Sequence, residues 1–146
     1  RGDLGHRAPG VLMSNETLSA PVTLTGSCLC GAVTYSARGA AGAPAACHCT
    51  QCRKQSGHVW ASSYVPDGAL EIKGEVRWYQ SSEHAKRGFC STCGSALFWD
   101  SENDPFICFS TGSIDGPTGL TLRGHIHTKT KGDYYQINPN DPQRET

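Results

Sequence analysis

A mainly β domain of short antiparallel strands, held together by metal rather than by a large apolar core, is what this sequence predicts. Three observations carry that expectation. The chain breaks into β-type runs of four to eight residues separated by Gly, Pro, Asn or Asp. Leu, Ile, Val and Phe number only 24 of 146 residues, below the roughly 20% at which strongly charged chains become disordered. With 13 basic and 13 acidic residues the net charge is zero, so disorder does not follow. The third observation is the cysteine content: eight are present, seven of them in clusters, and they can supply the stability that the aliphatic residues do not.

Taken in order, the first twelve residues carry no period and precede the only methionine, Met13, so residues 1–19 read as a disordered extension or an expression remnant. One domain is expected over 20–137. Its strands are expected at 22–25, 32–37, 58–65, 69–73, 76–81, 85–89, 95–99, 106–111, 120–126 and 134–137. The alternation Val59, Ala61, Ser63, Val65 turns one face of the third run towards a core. Pro66-Asp67-Gly68 and Lys73-Gly74-Glu75 are turns between neighbouring strands, which suggests an antiparallel meander. A single helical turn is expected at 50–56. The small residues of 38–45 read as a loop that delivers the chain to Cys47. Residues 138–146, with Pro139 and Pro142, read as a flexible polar tail.

Several function classes fall away at this stage. Zero net charge and the lack of a basic tract argue against nucleic acid or an anionic membrane as a partner. The longest apolar runs, 96–99 and 106–109, are far shorter than a signal-peptide core or a membrane span. A cytoplasmic protein with reduced thiols is expected, and there clustered cysteines favour metal over disulfides. The oligomeric state is not legible.

The clusters are Cys28-Leu29-Cys30-Gly31, Cys47-His48-Cys49-Thr50-Gln51-Cys52 and Cys90-Ser91-Thr92-Cys93-Gly94. A tetrahedral zinc takes four thiolates and a two-cysteine turn supplies half of them, so Cys28, Cys30, Cys90 and Cys93 are expected to meet at one structural ion that clamps the two ends of the sheet. The glycine after each pair fits a tight knuckle whose amides turn towards sulfur. The middle cluster places three thiolates within six residues and leaves no obvious fourth ligand. Three protein ligands and an open position describe a catalytic zinc, which would bind an incoming thiol and lower its pKa. Spacing alone leaves open a closed structural site completed by Cys108, His48, His58, His125 or His127.

Among the other candidates, Arg53 and Lys54 follow the triad and can pair with a substrate carboxylate, and Trp60 can contact substrate. His48 lies between two ligands, so its side chain is expected to point away from the metal. Cys108, inside the apolar run 106–109, is expected to be a buried, inert thiol.

The strings GSCLCGAVTY (26–35), CHCTQCRKQSG (47–57), RGFCSTCGSALF (87–98) and GHIHTKTKGDYY (124–135) together resemble the glutathione-dependent formaldehyde-activating enzyme family, which includes centromere-protein-V relatives. The resemblance implies an Mss4-like fold of antiparallel sheets around zinc. It also implies a structural ion on Cys28, Cys30, Cys90 and Cys93, and a substrate-facing ion on Cys47, Cys49 and Cys52. Two zinc ions per chain are therefore expected, the one at the triad the more labile. The activity implied is that of a carbon–sulfur lyase acting on a glutathione or similar thiol adduct, with S-hydroxymethylglutathione as the type, while a water, His or Tyr moves the proton. The alternative is a non-catalytic, zinc-stabilised module that binds glutathione-like peptides or a protein partner.

Overall fold

The computed structural model describes residues 23–146, so the extension expected over 1–19 lies outside the described residues. The strands are β1 (Leu24–Ser27), β2 (Thr34–Ala37), β3 (Gly42–Cys47), β4 (Trp60–Pro66), β5 (Leu70–Lys73), β6 (Val76–Gln80), β7 (Ala85–Cys90), β8 (Ala96–Ser101), β9 (Phe106–Ser110) and β10 (Gly124–Ile126). One short helix, α1 (Thr50–Ser56), joins β3 to β4. The fold is mainly β, as the sequence predicts.

The strands form two sheets rather than one meander. The small sheet has the order β1-β2-β5 and the large one β10-β3-β4-β9-β8-β7-β6. Every pairing is antiparallel except β10 with β3. Only β6 to β9 follow one another as a meander. Both expected turns form, with Gly68 at φ 89° and Gly74 at φ 101°, but each carries the chain from one sheet to the other. β5 leaves to pair with β2, and the place beside β4 is taken by β9.

Three local expectations need correction. Half of the stretch read as a loop, 42–45, belongs to strand β3, whose Gly, Ala and Pro residues have weak strand propensity and are held by β4 on one side and β10 on the other. Pro44 has no N–H for the ladder and sits where the β3–β4 register shifts, between Gly42 and Ala45. Its carbonyl accepts from Arg123 N at 2.8 Å. The run at 120–126 keeps only its last three residues as β10, and 134–137 is not a strand. The third concerns the expected tail, which pairs back along β10. His125 N donates to Pro142 O at 2.9 Å, Arg144 N to His125 O at 2.9 Å and Thr128 N to Arg144 O at 3.0 Å.

Strand alternation gives the large sheet two unlike faces. One packs against the small sheet: Ser63 and Val65 of β4, Phe109 of β9 and Phe98 of β8 lie buried with Val33, Tyr35 and Ala37. Tyr35 meets Phe98 and Phe109 with ring centroids 5.4 Å away in each case. The other face carries Trp60, Ser62 and Tyr64 of β4 and is covered only in part.

Tyr35 lies opposite Gly26 across the β1–β2 pair. A Cβ at Gly26 would come within 2.2 Å of the Tyr35 ring, and that ring is wedged against two phenylalanines, so it has no room to retreat. Gly26→Ala is therefore expected to destabilise the fold by about 1–3 kcal/mol, measured as a lowered urea midpoint with an unchanged slope.

Candidate metal centres and the cavity beside them

Cys28 and Cys30 lie in the β1–β2 connection, Cys90 ends β7, and Cys93 lies in the turn before β8. The four sulfurs all lie within 4.8 Å of one another. Cys28 Sγ is 3.7 Å from Cys30 Sγ, which is 3.8 Å from Cys90 Sγ. A tetrahedron with metal–sulfur bonds of about 2.3 Å has edges of about 3.8 Å, whereas a disulfide needs about 2.05 Å. The donor set therefore fits a tetrahedral thiophilic ion. Because one pair follows β1 and the other flanks the β7–β8 turn, such an ion would join the small sheet to the large one, not the two ends of a single sheet.

Local backbone geometry prepares the sulfurs. Gly31 at φ 83° and Gly94 at φ 80° form the knuckles. Val33 N donates to Cys28 Sγ at 3.2 Å, and Thr92 N and Cys93 N donate to Cys90 Sγ at 3.3 and 3.4 Å. The Ser95 hydroxyl, 3.2 Å from Cys93 Sγ, and the Ser95 amide bring Cys93 down to about 5. Burial pushes Cys28 up, but the Val33 amide and the neighbouring thiols outweigh it and leave it lowered. Thiolate is the form that binds metal.

The second group is built by a strand end and a helix start. Cys47 closes β3, and Cys49 is the N-cap of α1, its sulfur accepting from Cys52 N at 3.3 Å. Cys52 is the buried residue of the helix, which stops at Gly57 in the left-handed conformation, φ 93°. The three sulfurs lie within 4.8 Å of one another, and among the described residues no His, Cys, Asp or Glu adds a fourth ligand atom to the group. The Cys47 and Cys52 thiols, with Arg87 adding positive charge, drive Cys49 far below the ordinary thiol range. Hydrogen bonding to Cys49 and Cys52 together with burial pushes Cys47 far above it.

The triad borders a cavity of about 360 Å³ on the open face of the large sheet. Cross-strand register makes its floor: Arg87 of β7 lies opposite Trp99 of β8, Trp99 opposite Cys108 of β9, and Cys108 opposite Tyr64 of β4. Cys47 lies opposite Trp60, and Ala45 opposite Ser62. Phe106, Ala43 and Ile126 complete the apolar wall, with Gln51, Arg123 and His127 also lining it. Ile126 and His127 are adjacent in sequence yet both line the cavity, because β10 ends at Ile126 and His127 takes φ 55°. Arg123, whose pKa burial lowers, donates to Ala43 O.

Among the residues singled out by sequence, Trp60 lines this cavity and is 9% exposed. Arg53 and Lys54 do not line it: Arg53 Nε donates to Thr130 O at 3.1 Å and Lys54 faces solvent. The cation beside the triad is Arg87, 6% exposed, which donates to Cys52 Sγ at 3.6 Å, Gln55 Oε1 at 3.4 Å and Gln51 Oε1 at 3.1 Å. Its Nε and the Trp60 Nε1 are buried without a hydrogen-bond partner. The signal for Arg87 in the sequence is its period-two spacing from Ala85 on the same strand face. Cys108, expected to be buried and inert, is half-buried and lines the cavity, because Ile107 and Phe109 take the core-facing side of β9.

His48 does point away from the sulfurs. It is 2% exposed, and burial together with His125, His58 and Lys131 pushes its pKa down to about 4, so near neutral pH it has one donor and one acceptor. His125 Nε2 lies 3.3 Å from Asp141 Oδ2. A carboxylate only accepts, so His125 donates there and its Nδ1 is the acceptor. That Nδ1 takes the His48 Nε2–H at 2.9 Å, which leaves His48 Nδ1 to accept the Tyr135 hydroxyl at 2.5 Å. The chain-terminal segment thereby sets the tautomer of a residue between two cysteines of the triad. Tyr135→Phe removes the donor to a buried nitrogen and is expected to cost about 1–3 kcal/mol in urea unfolding. Tyr134→Phe, at an exposed residue bonded to His58, is expected to change stability by less than about 0.5 kcal/mol.

Comparison with known proteins places this geometry. A Rhodobacter sphaeroides protein of known structure, determined as a structural genomics target, superposes with a TM-score of 0.53 at 23% identity over 65% of this chain and 91% of that one. At that identity the likeness concerns the fold. No curated protein matches the chain. The family model described as glutathione-dependent formaldehyde-activating enzyme matches residues 23–130, which include all seven clustered cysteines, Arg87 and Cys108. The chain belongs to the glutathione-dependent formaldehyde-activating enzyme family.

Proposed function

We propose that this protein is a zinc-dependent carbon–sulfur lyase that forms or cleaves the bond between a thiol sulfur and a carbonyl-derived carbon, as in S-hydroxymethylglutathione. The observation that carries the proposal is the three-sulfur group of Cys47, Cys49 and Cys52, without a fourth ligand among the described residues, at the edge of a cavity of about 360 Å³. Cys28, Cys30, Cys90 and Cys93 would hold a second, structural ion between the sheets.

When bound at the triad, zinc supplies a Lewis-acid charge that favours the thiolate over the thiol. Three thiolates carry more negative charge than a divalent ion offsets, and the Arg87 guanidinium beside Cys52 balances the excess. Trp60, Trp99 and Phe106 keep water from the sulfur of the adduct. In cleavage the hydroxyl proton leaves oxygen as the carbonyl forms, and sulfur regains a proton. Among the cavity-lining side chains, His127 and Tyr64 are suited to carry it. No helix of the described residues is long and apolar enough to cross a membrane.

Cys49→Ser and Cys52→Ser are expected to keep the circular-dichroism spectrum and cooperative unfolding, to reduce bound zinc from two ions to one, and to lower turnover of S-hydroxymethylglutathione more than about 100-fold. Cys28→Ser and Cys93→Ser are expected to abolish cooperative unfolding. Unchanged turnover after complete loss of the second ion would overturn the mechanism, and calorimetric binding of glutathione with no turnover of its adducts would favour a binding module.

A further inference from the structure

Beyond its sulfurs and Arg87, the cavity is a slot between aromatic side chains. Trp99 and Tyr64 lie on its floor, and Trp60 and Phe106 on its walls, while Ala45 and Ser62 sit side by side on β3 and β4 where larger residues would fill it. A formaldehyde-derived carbon is one atom and needs no such slot. Glutathione needs a different one, because it brings two carboxylates and an ammonium, and each charge buried without a partner is costly. The two guanidiniums that line the cavity are already engaged, Arg87 with Gln51, Gln55 and Cys52, and Arg123 with the Ala43 carbonyl. The charged thiol carrier is therefore better left in water at the mouth, and the part of the adduct that remains to enter the slot is the group carried by the carbonyl carbon.

We propose that the substrate is the thiohemiacetal of a larger, apolar aldehyde, aromatic or branched, whose side group lies in the slot between Trp60, Trp99, Tyr64 and Phe106. This inference rests on the carbon–sulfur lyase reading and names its substrate class. The reaction is R–CH(OH)–S–R′ to R–CHO and R′–SH. The carbon–sulfur bond breaks with its electron pair going to sulfur, the hydroxyl proton leaves as the carbonyl forms, and sulfur gains a proton. Nothing is oxidised or reduced.

Two non-cleavable thioethers, S-benzylglutathione and S-methylglutathione, separate substrate size from chemistry when titrated calorimetrically into the full chain. The benzyl compound is expected to bind about tenfold or more tightly. Ala45→Leu, which adds bulk to the slot and replaces no cysteine, is expected to bring the two within about threefold by weakening the benzyl compound. Should that variant not fold, Ser62→Leu tests the same space from the neighbouring strand. Equal affinities in the wild-type chain, or a benzyl advantage that survives in a folded filled-slot variant, would overturn the inference.

Turnover is then followed with the glutathione adducts of phenylacetaldehyde and of formaldehyde. A benzyl preference without turnover of either adduct upholds the slot and refutes the lyase. Turnover of the formaldehyde adduct with equal thioether affinities refutes the slot and upholds the lyase.

Discussion

The pairing of β4 with both β3 and β9 is the constraint on which the rest of this structure depends. On one side it puts Cys47 opposite Trp60, and on the other it puts Cys108 opposite Tyr64, from a strand more than forty residues away. Because side chains alternate along β4, the same seven residues also deliver Ser63 and Val65 to the core. A shift of one residue would exchange the two sets, sending Trp60 and Tyr64 towards the small sheet and exposing Val65. Core and cavity are thus two faces of one register.

With so few large aliphatics, the fold distributes its cohesion among other groups. Its fully buried side chains include His48, Cys90 and Ser63 beside Phe98, Phe109, Leu97, Val33 and Val65. Four sulfurs gather where the sheets meet, and a polar chain from Asp141 to Tyr135 ties the C-terminal segment to the loop that carries the triad. Both arrangements are demanding. A sulfur cluster of this density could hold an ion that would offset the repulsion among its thiolates, and a buried imidazole needs both of its nitrogens satisfied. The polar work is done behind the triad, so the face in front of it is left largely apolar.

What was legible in the sequence was local. Cysteine spacing defined both groups because their members lie within a few residues of a turn, and the Val59-to-Val65 alternation marked the core face of β4. The strand order was not legible, since nothing in the turns at Gly68 and Gly74 says whether the chain stays in its sheet. β3 was hidden because Gly, Ala and Pro have little intrinsic preference for a strand, and its pairing energy comes from partners far along the chain. Arg87 is not singled out by the sequence, since only the β7 register sets it opposite Trp99, and Cys108 reads as core until Ile107 and Phe109 take that side. In each case the deciding information was a contact between distant segments.

The central claim is that seven of the eight cysteines serve two ions of unlike coordination, one closed by sulfur and one open to the cavity. Zinc-edge X-ray absorption on the purified full chain, combined with metal analysis, tests it most directly. The account predicts two zinc ions per chain, with about 3.5 sulfur neighbours per ion on average at about 2.3 Å and a light oxygen or nitrogen scatterer making up the remainder. A single ion per chain, or two ions each surrounded by four sulfurs with Cys108 closing the second site, would contradict it.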